Sequence, residues 1–307
     1  GFPLWIPEPD RCLPLPYRRN GVSIGDIGTI TPDGAFSFMF NIFLPAGHPI
    51  NPPELPEGFK PLKLLHRGML DIDVYPEVKP GGFLASATME EVHSSDPSFR
   101  GMSFETSTEG AILTFPDGAL VLDSQNVPSM RTYAQAHLAS WYRFANGPRG
   151  HELENGELHL VTGCDKATSW GMAAIANVGS ERYSLRYYRR SHAVHGSDTG
   201  DAHASIPLYE WEYTGHTEAR VGPDLEEIEE ICLTDNDPAE EAGIDVVGRQ
   251  GKFYNQCLFL RTLNLALNED EFETIEREIA IEREAQDTWP ENPWMPKPVS
   301  SFRLGLG

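Results

Sequence analysis

Cysteine is scarce in this sequence, and its spacing excludes two common kinds of site. The chain of 307 residues contains four cysteines, at positions 12, 164, 232 and 257. None of them forms a Cys-x-x-Cys pair, so neither a structural zinc site nor a disulfide framework is expected. The chain also lacks an Asn-x-Ser/Thr glycosylation sequon. Both absences favour a reducing compartment, and we predict a cytoplasmic protein.

Long apolar runs are absent as well. No stretch approaches the roughly 20 apolar residues that a membrane-spanning helix requires. The first 20 residues carry five prolines where a signal peptide would have an apolar segment. We therefore expect no membrane span and no secretory leader, while Gly1 leaves processing of the amino terminus open.

Positive charge is in short supply. Lysine and arginine total 24 against 46 aspartates and glutamates, which gives a formal net charge of −22. Of the acidic residues, 19 lie between Asp224 and Asp287. Such a surface repels a phosphate backbone, so we predict that nucleic acid is not a partner.

Nucleotide-binding signatures are also missing. The segment Gly25-Asp26-Ile27-Gly28 has two glycines but matches neither G-x-G-x-x-G nor G-K-S/T. It lies in a segment of strand character, in which the alternation of apolar residues shifts by one position. Such a shift predicts a β-bulge. We expect no cofactor.

What the sequence does contain is a series of short strands. Phe36, Phe38, Phe40 and Ile42 alternate with smaller or polar residues, which is typical of a half-buried strand. Pro32-Asp33-Gly34 precedes it and predicts a hairpin turn. The same Pro-Asp-Gly-Ala sequence recurs at 116–119 and predicts a second hairpin. Residues 45–64 are rich in proline and predict a long crossing loop.

Two helices are expected among these strands. Apolar residues recur at helical spacing over about 128–145, and the pattern predicts a buried helix rich in aromatic residues. A second helix, acidic and with Phe272, Ile275, Ile279 and, less regularly, Ile281 on one side, is expected at about 269–286. The predicted fold class is mainly β or α+β, with an antiparallel β-rich body.

The chain divides into three predicted parts. Residues 1–20 form a proline-rich arm, with too many prolines for a helix or a strand ladder, that packs on the body through Phe2, Leu4, Trp5 and Ile6. Residues 21–266 form the β-rich domain. Residues 267–307 form the acidic helix and a tail packed on or beside the domain, and we expect the domain to remain folded when they are removed.

Several sequence blocks are similar to blocks found in one group of fungal proteins. They include Tyr17-Arg18-Arg19, SWYRFANGPRG at 140–150, GCDKATSWG at 163–171 and NQCLFLR at 255–261. Over residues 2–264 the chain resembles an uncharacterised protein family of mushroom-forming (basidiomycete) fungi. The resemblance implies a fungal, intracellular protein and brings no activity, cofactor or fold. Among the landmark residues, the ligand-binding candidates are Trp170, Trp141, Arg143, Asn146 and Asp26.

The stretch VTGCDKATSW at 161–170 concentrates reactive side chains. Cys164 is a candidate nucleophile, because Lys166, on the same face of a strand, would lower the pKa of its thiol. Asp165 and Ser169 complete the catalytic candidates, although the stretch has no Gly-x-Ser-x-Gly motif. The alternative is structural: Gly163 and Gly171 frame a tight connection between strands, and Trp170 fills the core.

Two further groups are candidates for binding. His192, His195 and His203 lie with aspartates in one polar segment and are candidate metal ligands, but their spacing matches no established pattern, and a flexible loop is the alternative. The aromatic residues Trp5, Tyr209, Trp211, Tyr213, Trp289 and Trp294 are candidates to line a groove. Core packing is the alternative for them.

No established catalytic signature emerges from these patterns. The sequence therefore favours a non-enzymatic binding or interaction protein, a β-rich scaffold with an aromatic and polar pocket for a small molecule, a glycan or a protein. The alternative hypothesis is a hydrolase or transferase that uses Cys164 with Asp165, Lys166 or a distant histidine.

Overall fold

The structure is a computed structural model that describes residues 1–63, 71–176, 182–190, 208–233, 247–248 and 252–287. Antiparallel strands dominate these ranges, which confirms the predicted mainly β or α+β class. The strands are β1 (Phe2–Pro3), β2 (Asp26–Ile30), β3 (Phe36–Asn41), β4 (Ile72–Val78), β5 (Gly82–Ala85), β6 (Glu90–Glu91), β7 (Gly101–Thr106), β8 (Gly110–Phe115), β9 (Ala119–Ser124), β10 (Leu158–Ala167), β11 (Trp170–Ile175), β12 (Tyr183–Arg189), β13 (Tyr209–Tyr213), β14 (Thr217–Gly222), β15 (Val247–Gly248), β16 (Lys252–Phe253) and β17 (Gln256–Leu265). The helices are α1 (Leu15–Asn20), α2 (Val127–Asn146), α3 (Leu225–Leu233) and α4 (Glu269–Asp287).

The described strands form three larger sheets and one two-stranded ladder. Sheet I contains seven strands, with β10 at its centre between β17 on one side and β2 and β9 on the other. Sheet II has the order β14-β11-β8-β5, and sheet III has the order β13-β12-β7-β6. The remaining pair is β15 with β16.

Three long strands pass from sheet I into sheet II. They are formed by β4 with β5, β9 with β8 and β10 with β11, and their pairing resumes on both sides of a break. Ala167 pairs with Ala119 on one side of it, and Gly171 pairs with Thr114 on the other. We call this break the kink and define it as residues 79–81, 116–118 and 168–169. The same neighbouring strands therefore pair on both sides of the kink, first in sheet I and then in sheet II.

The second Pro-Asp-Gly turn forms part of the kink, and the prediction of a hairpin there is wrong. The turn exists, because the Gly118 N–H donates to the Phe115 carbonyl at 3.1 Å. Its flanking strands, however, pair with β11 and β10 and belong to different sheets. Gly118 has a φ of +82°, and a Cβ there would lie 2.7 Å from the Val78 carbonyl oxygen. The first turn does close the predicted hairpin, in which Ile30 pairs with Phe36.

The main core lies between sheet I and helices α2 and α4. Helix α2 confirms the prediction for about 128–145, and its buried residues include Met130, Leu138, Trp141 and Phe144. Helix α4 confirms the prediction for about 269–286 and contributes Phe272, Ile275 and Ile279 to the same core. The placement of Ile281 on the buried side is wrong: this side chain is 66% exposed, because it lies two residues beyond Ile279 and so on the opposite face of the helix.

Sheets II and III face each other as a sandwich with a second core. Phe104 and Leu185 of sheet III pack with Ile112 and Ala173 of sheet II. The sheets approach closely at Gly171, where an added Cβ would lie 2.3 Å from a ring carbon of Tyr187. Glycine at this position therefore leaves the room that the Tyr187 ring occupies.

The amino-terminal segment packs on the body, but its prolines do not keep it wholly extended. β1 pairs with β17, and α1 forms with Pro16 in its first turn. The prediction that this segment contains no helix and no strand ladder is therefore wrong. Proline is compatible with an edge strand and with a first helical turn, since neither position needs its missing N–H. Leu4 is buried and Phe2 is exposed.

The predicted loop at 45–64 has no helix or strand over 45–63.

The bulge predicted near Gly25–Gly28 is present as a register shift between Ile27 and Gly28. Strand β12 alternates between buried and less buried residues, with Tyr183, Leu185 and Tyr187 buried. Within the described part of the chain, every helix is too short or too polar to traverse a bilayer.

Candidate functional site

The reactive side chains of the 161–170 stretch point to different sides of β10. Cys164 is completely buried, and its Sγ lies 3.8 Å from the Val22 carbonyl oxygen. The Lys166 ammonium donates to the Asn20 carbonyl at 2.6 Å, so both side chains face residues 20–22. Asp165 points to the other side, where it pairs with Arg261 at 2.6 Å.

Asp26 lies close to Lys166 in the same buried region. Its carboxylate accepts hydrogen bonds from the Asn41 side-chain amide and the Ser23 N–H, both at 2.7 Å, and from the Tyr17 hydroxyl at 3.1 Å. Burial raises the pKa of Asp26 to about 7, and these hydrogen bonds and the Lys166 charge oppose the shift. Asp26 is 1% exposed and does not face solvent. Its hydrogen bonds tie the chain around residues 17–26 to sheet I.

Cys164 and Cys257 form a buried thiol pair. Their mutual hydrogen bond lowers the pKa of Cys164, and burial raises the pKa of Cys257 well above its usual value. Both residues have no exposed surface. The charged groups with the largest effects on the Cys164 thiol are Lys166, Arg261 and Asp26. This geometry gives no support to a nucleophilic role for Cys164.

Asp165 takes part in an ion-pair network with Arg261 and Asp123. The Arg261 guanidinium binds both carboxylates and also donates to the Leu122 carbonyl at 3.2 Å. All three charged side chains are only partly exposed. The network joins β9, β10 and β17, which is a structural role.

Ser169 lies at the kink. Its hydroxyl donates to the Asp117 Oδ2 at 2.7 Å, and the Thr168 hydroxyl donates to the same atom at 3.2 Å. These two residues are the whole connection between β10 and β11. The expectation that Gly163 and Gly171 frame the connection is wrong, because both are strand residues: Gly163 lies at a register shift in β10, and Gly171 pairs in β11.

Trp170 fills the core on the outer face of the kink. Its side chain is completely buried, and its indole N–H donates to the Gln256 side-chain oxygen at 2.9 Å. The Arg220 guanidinium lies 5.6 Å from the ring centroid. The residue therefore holds β11 against β17 and has no exposed face.

The inner face of the kink carries an aromatic stack. Tyr187 of sheet III lies against Gly171 of sheet II, and its ring stacks on that of Tyr209 with centroids 5.3 Å apart and an interplanar angle of 8°. Trp211 packs on Tyr187 at 4.7 Å. Tyr187 is buried, whereas Tyr209 is partly exposed. The stack ends at the edge of the sandwich, beside the kink.

Two groups of opposite charge act on Tyr209 in this stack. Arg189 is the cross-strand partner of Tyr209 and, two residues after Tyr187, shares its face of the strand. Burial raises the pKa of Tyr209, the Asp117 carboxylate raises it further, and the Arg189 guanidinium lowers it. Both charges therefore act on the Tyr209 hydroxyl. We call Asp117, Ser169, Tyr187, Arg189 and Tyr209 the sandwich corner.

The Tyr187 hydroxyl at this corner is buried without a well-formed hydrogen bond to any described residue, although Thr114 lies beside it. A phenol hydroxyl with no partner is unusual in a folded interior, because its desolvation is not compensated. Burial also raises the pKa of Tyr187, so the group is a neutral donor at physiological pH.

The ligand-binding candidates on α2 lie away from the sandwich corner. Trp141 is buried against Phe40, and Arg143 pairs with Glu278 of α4 at 2.6 Å. The Asn146 side chain bonds the Leu153 main chain. A cavity of about 280 Å³ lies at this end of α2, lined by Asn146, Glu152, Glu276, Ile279, Ala280 and Arg283. Arg283 already donates to the Asn146 carbonyl at 2.6 Å across one side of it.

The candidate metal ligands His192, His195 and His203 lie outside the described residues, as do Trp289 and Trp294. In the ranges that are described, no group of three or more histidine, cysteine, aspartate or glutamate side chains is arranged to hold a metal ion.

Sequence reasoning missed two features of the sites. Asp117 was visible as a turn residue, but nothing in the sequence placed it beside Ser169 or Tyr209. The second feature is a Gly-x-Ser-x-Gly motif at 21–25. Ser23 precedes a strand and not the helix of a nucleophile elbow, and its hydroxyl donates to the Gly21 carbonyl at 3.1 Å.

Comparisons with protein-family models and with curated proteins found no match to this chain.

Proposed function

We propose that the protein is a non-enzymatic binding protein whose ligand binds at the sandwich corner. The observation that carries the proposal is the stack of the partly exposed Tyr209 on buried Tyr187, where the charges of Asp117 and Arg189 both act on the Tyr209 hydroxyl. Binding sites typically combine apolar or aromatic surface with a few fixed polar groups. The corner has both kinds of group and is partly exposed at Tyr209 and Arg189.

The rigidity of the corner supports the same proposal. Asp117 is held by the Ser169 and Thr168 hydroxyls, and Tyr209 is backed by Tyr187 and indirectly by Trp211. Groups that are held in place before binding lose little conformational freedom when a ligand arrives. The ligand that suits such a corner is small and polar, with one flat apolar face.

The alternative proposals receive less support. A hydrolase or transferase based on Cys164 would need the sulfur to meet a substrate, and the sulfur is completely buried. The cavity beside Asn146 has a volume of about 280 Å³, below the roughly 300–1,000 Å³ of common ligand pockets. Its Glu152 side chain is 80% exposed, and Arg283 is already engaged.

The proposal extends to location and partner. We propose a cytoplasmic protein, which the free thiols of Cys12, Cys164 and Cys257 support. The net charge of −22 supports the exclusion of nucleic acid. The resemblance to fungal proteins supports an intracellular fungal origin.

Ligand-observed saturation-transfer NMR tests the proposal. A mixed library of small polar molecules is screened against the wild-type protein, against Tyr209→Ala and against Tyr213→Ala. Tyr213 lies on the same strand and is 45% exposed, but it pairs with Leu185 at a distance from the kink, so its substitution is the matched control. Thermal melting verifies that each variant is folded.

We expect at least one compound to receive saturation from the wild type and from Tyr213→Ala, and the signal to be lost with Tyr209→Ala. Compounds that bind equally well to all three proteins would place the ligand elsewhere and contradict the proposal. So would a complete absence of binding compounds.

A further inference from the structure

Strand β17 has one edge that is paired over only part of its length. β1 occupies this edge at Phe259 and Leu260. From Arg261 to Leu265, β17 pairs with β10 on its other side, and among the described strands none pairs with the first side of this part. A free strand edge presents a row of main-chain donors and acceptors that a further strand can use.

The pairing with β1 shows which main-chain groups face this edge. The Leu4 N–H donates to the Leu258 carbonyl at 2.9 Å, and β1 keeps the same register up to Leu260. Because the main-chain groups of successive residues alternate between the two sides of a strand, those of Thr262 and Asn264 face the same edge. The free part of the edge therefore continues the row that β1 uses, and it contains no proline that would interrupt it.

Helix α2 lies beside the free edge and forms a groove with it. The groove has a volume of about 190 Å³. Its wall on α2 is a stripe at helical spacing, and the residues of the two walls include Arg131, Ala134, Gln135, Leu138, Leu263 and Asn264. A strand edge beside a groove suits an extended peptide, because the peptide main chain pairs with the edge while alternate side chains enter the groove.

The register determines which peptide side chain enters the groove. Leu263 is partly buried and packs against the main core, so its side chain lies on the face of sheet I that α2 covers. A peptide residue opposite Leu263 shares this face. Its side chain therefore enters the groove, where the buried side chains of Leu138 and Ala134 form part of the wall. An apolar side chain fits this position.

The charge of the groove is opposite to that of the chain as a whole. Arg131 is exposed and is the one charged side chain among the described residues that line the groove. The whole chain, in contrast, has 46 acidic residues against 24 basic ones. A guanidinium whose neighbours in the groove include no carboxylate favours an acidic group on the ligand.

We propose that the free edge of β17 beside α2 binds an extended segment of a partner protein, which adds a strand to sheet I. One apolar side chain of the segment lies in the groove opposite Leu263. An acidic side chain two residues away, on the same face of the added strand, pairs with Arg131. This interaction is separate from ligand binding at the sandwich corner, so each can fail without the other.

The test uses synthetic heptapeptides, acetylated and amidated at their ends, with leucine, isoleucine or phenylalanine at position 4 and aspartate at positions 2 and 6. A second series has lysine at positions 2 and 6. Dissociation constants are measured by NMR titration of the isotope-labelled full chain, which also reports the amide resonances of Thr262 and Asn264. The variants are Arg131→Glu and, as the matched control, Arg277→Glu, whose side chain is 70% exposed on α4.

We expect at least one aspartate peptide to bind and to shift the amide resonances of Thr262 and Asn264. Arg131→Glu should weaken its binding about tenfold, because an attraction becomes a repulsion, whereas Arg277→Glu should stay within about threefold of the wild type. The lysine series should bind the wild type about tenfold more weakly than the aspartate series. Tyr209→Ala should bind the peptides as the wild type does.

Methylated peptides test strand addition on the wild-type protein, without any substitution that could disturb its fold. In the proposed register, the N–H groups of peptide residues 3 and 5 pair with the β17 edge, and those of residues 4 and 6 face away from it. N-methylation at 3 and 5 should therefore abolish binding. N-methylation at 4 and 6 adds the same number of methyl groups and should leave binding within about threefold.

Four results would overturn the inference. Lysine peptides that bind as tightly as aspartate peptides would contradict the role of Arg131. Equal binding of the two methylated forms would show that a peptide occupies the groove without adding a strand. If no peptide shifts the resonances of Thr262 and Asn264, the edge is not a peptide site. If these resonances shift with protein concentration alone, the edge belongs to a second copy of this chain.

Discussion

The Ser169 hydroxyl donates a 2.7 Å hydrogen bond to the Asp117 carboxylate, and this contact joins the two turns at which β8–β9 and β10–β11 change sheets. Ser169 is 2% exposed and Asp117 is partly exposed, so the hydrogen bond is partly shielded from water. Ser169→Ala should lower the free energy of unfolding by about 2 kcal/mol, since hydrogen bonds to charged groups are worth about 1.5–3 kcal/mol. Urea denaturation measures the change.

Ser98 provides the matched control, because its hydroxyl makes the same kind of bond to Asp96 at 2.6 Å on the exposed surface. Ser98→Ala should change the free energy of unfolding by less than about 0.5 kcal/mol. Equal effects of the two substitutions would mean that the kink does not depend on the buried contact.

The burial of Cys164 predicts its reactivity. With iodoacetamide at neutral pH, we expect Cys12 to be alkylated in the folded protein, since it is exposed, and Cys164 and Cys257 to be protected until denaturant is added. Peptide mass spectrometry follows each cysteine separately. Alkylation of Cys164 faster than that of Cys12 would instead favour the hypothesis of a cysteine-dependent hydrolase or transferase.

Asp26 makes stability depend on pH. Its pKa is about 7 in the folded protein against 3.8 ordinarily, so between these values the native state retains a proton that the unfolded state has lost. The stability that Asp26 contributes is therefore complete below about pH 4 and is lost as the pH rises through about 7. Asp26→Asn removes this titration.

The expected result is a difference between wild type and Asp26→Asn that changes with pH. From about pH 4 to about pH 7, the free energy of unfolding of the wild type should fall relative to that of the variant, on the order of 3 kcal/mol. Denaturation curves across this range supply the values. A difference that grows as the pH rises would show that the carboxylate is stabilised in its charged form.

Helix α4 contributes to the main core, so from the structure we expect that removing residues 267–307 destabilises the domain. Ile275 is 1% exposed and packs in the core that α2 and sheet I share. Ile275→Ala should lower the free energy of unfolding by about 2–4 kcal/mol. Ile281→Ala, on the exposed side of the same helix, should change it by less than about 0.5 kcal/mol. Truncation after residue 266 that preserves the melting transition would contradict this role of α4.

The sequence was most informative where local patterns determine local structure. The spacing of Met130, Leu138 and Trp141 identified α2, because it reflects one buried face of the helix. The alternation of Phe36, Phe38 and Phe40 identified β3, but the prediction of a half-buried strand is wrong, because Met39 and Asn41 on the other face are buried as well. The bulge at Gly28 and the hairpin at 32–34 follow from glycine and proline geometry in the same way.

It was least informative about pairing between distant segments. Pro116-Asp117-Gly118 and Pro32-Asp33-Gly34 have the same turn chemistry, but only the second joins two paired strands. The difference depends on β10 and β11, which lie about 50 residues further along the chain. The sandwich corner could not be predicted for the same reason, since Asp117, Ser169 and Tyr209 meet only after three sheets have formed.

The most direct test of a binding site at the sandwich corner is a crystal structure of the protein soaked with the mixed library of small polar molecules. We expect electron density for a ligand in contact with the Tyr209 ring and within hydrogen-bonding distance of Asp117 or Arg189. Density for a covalent adduct on Cys164, or for ligands only in the cavity beside Asn146, would contradict it.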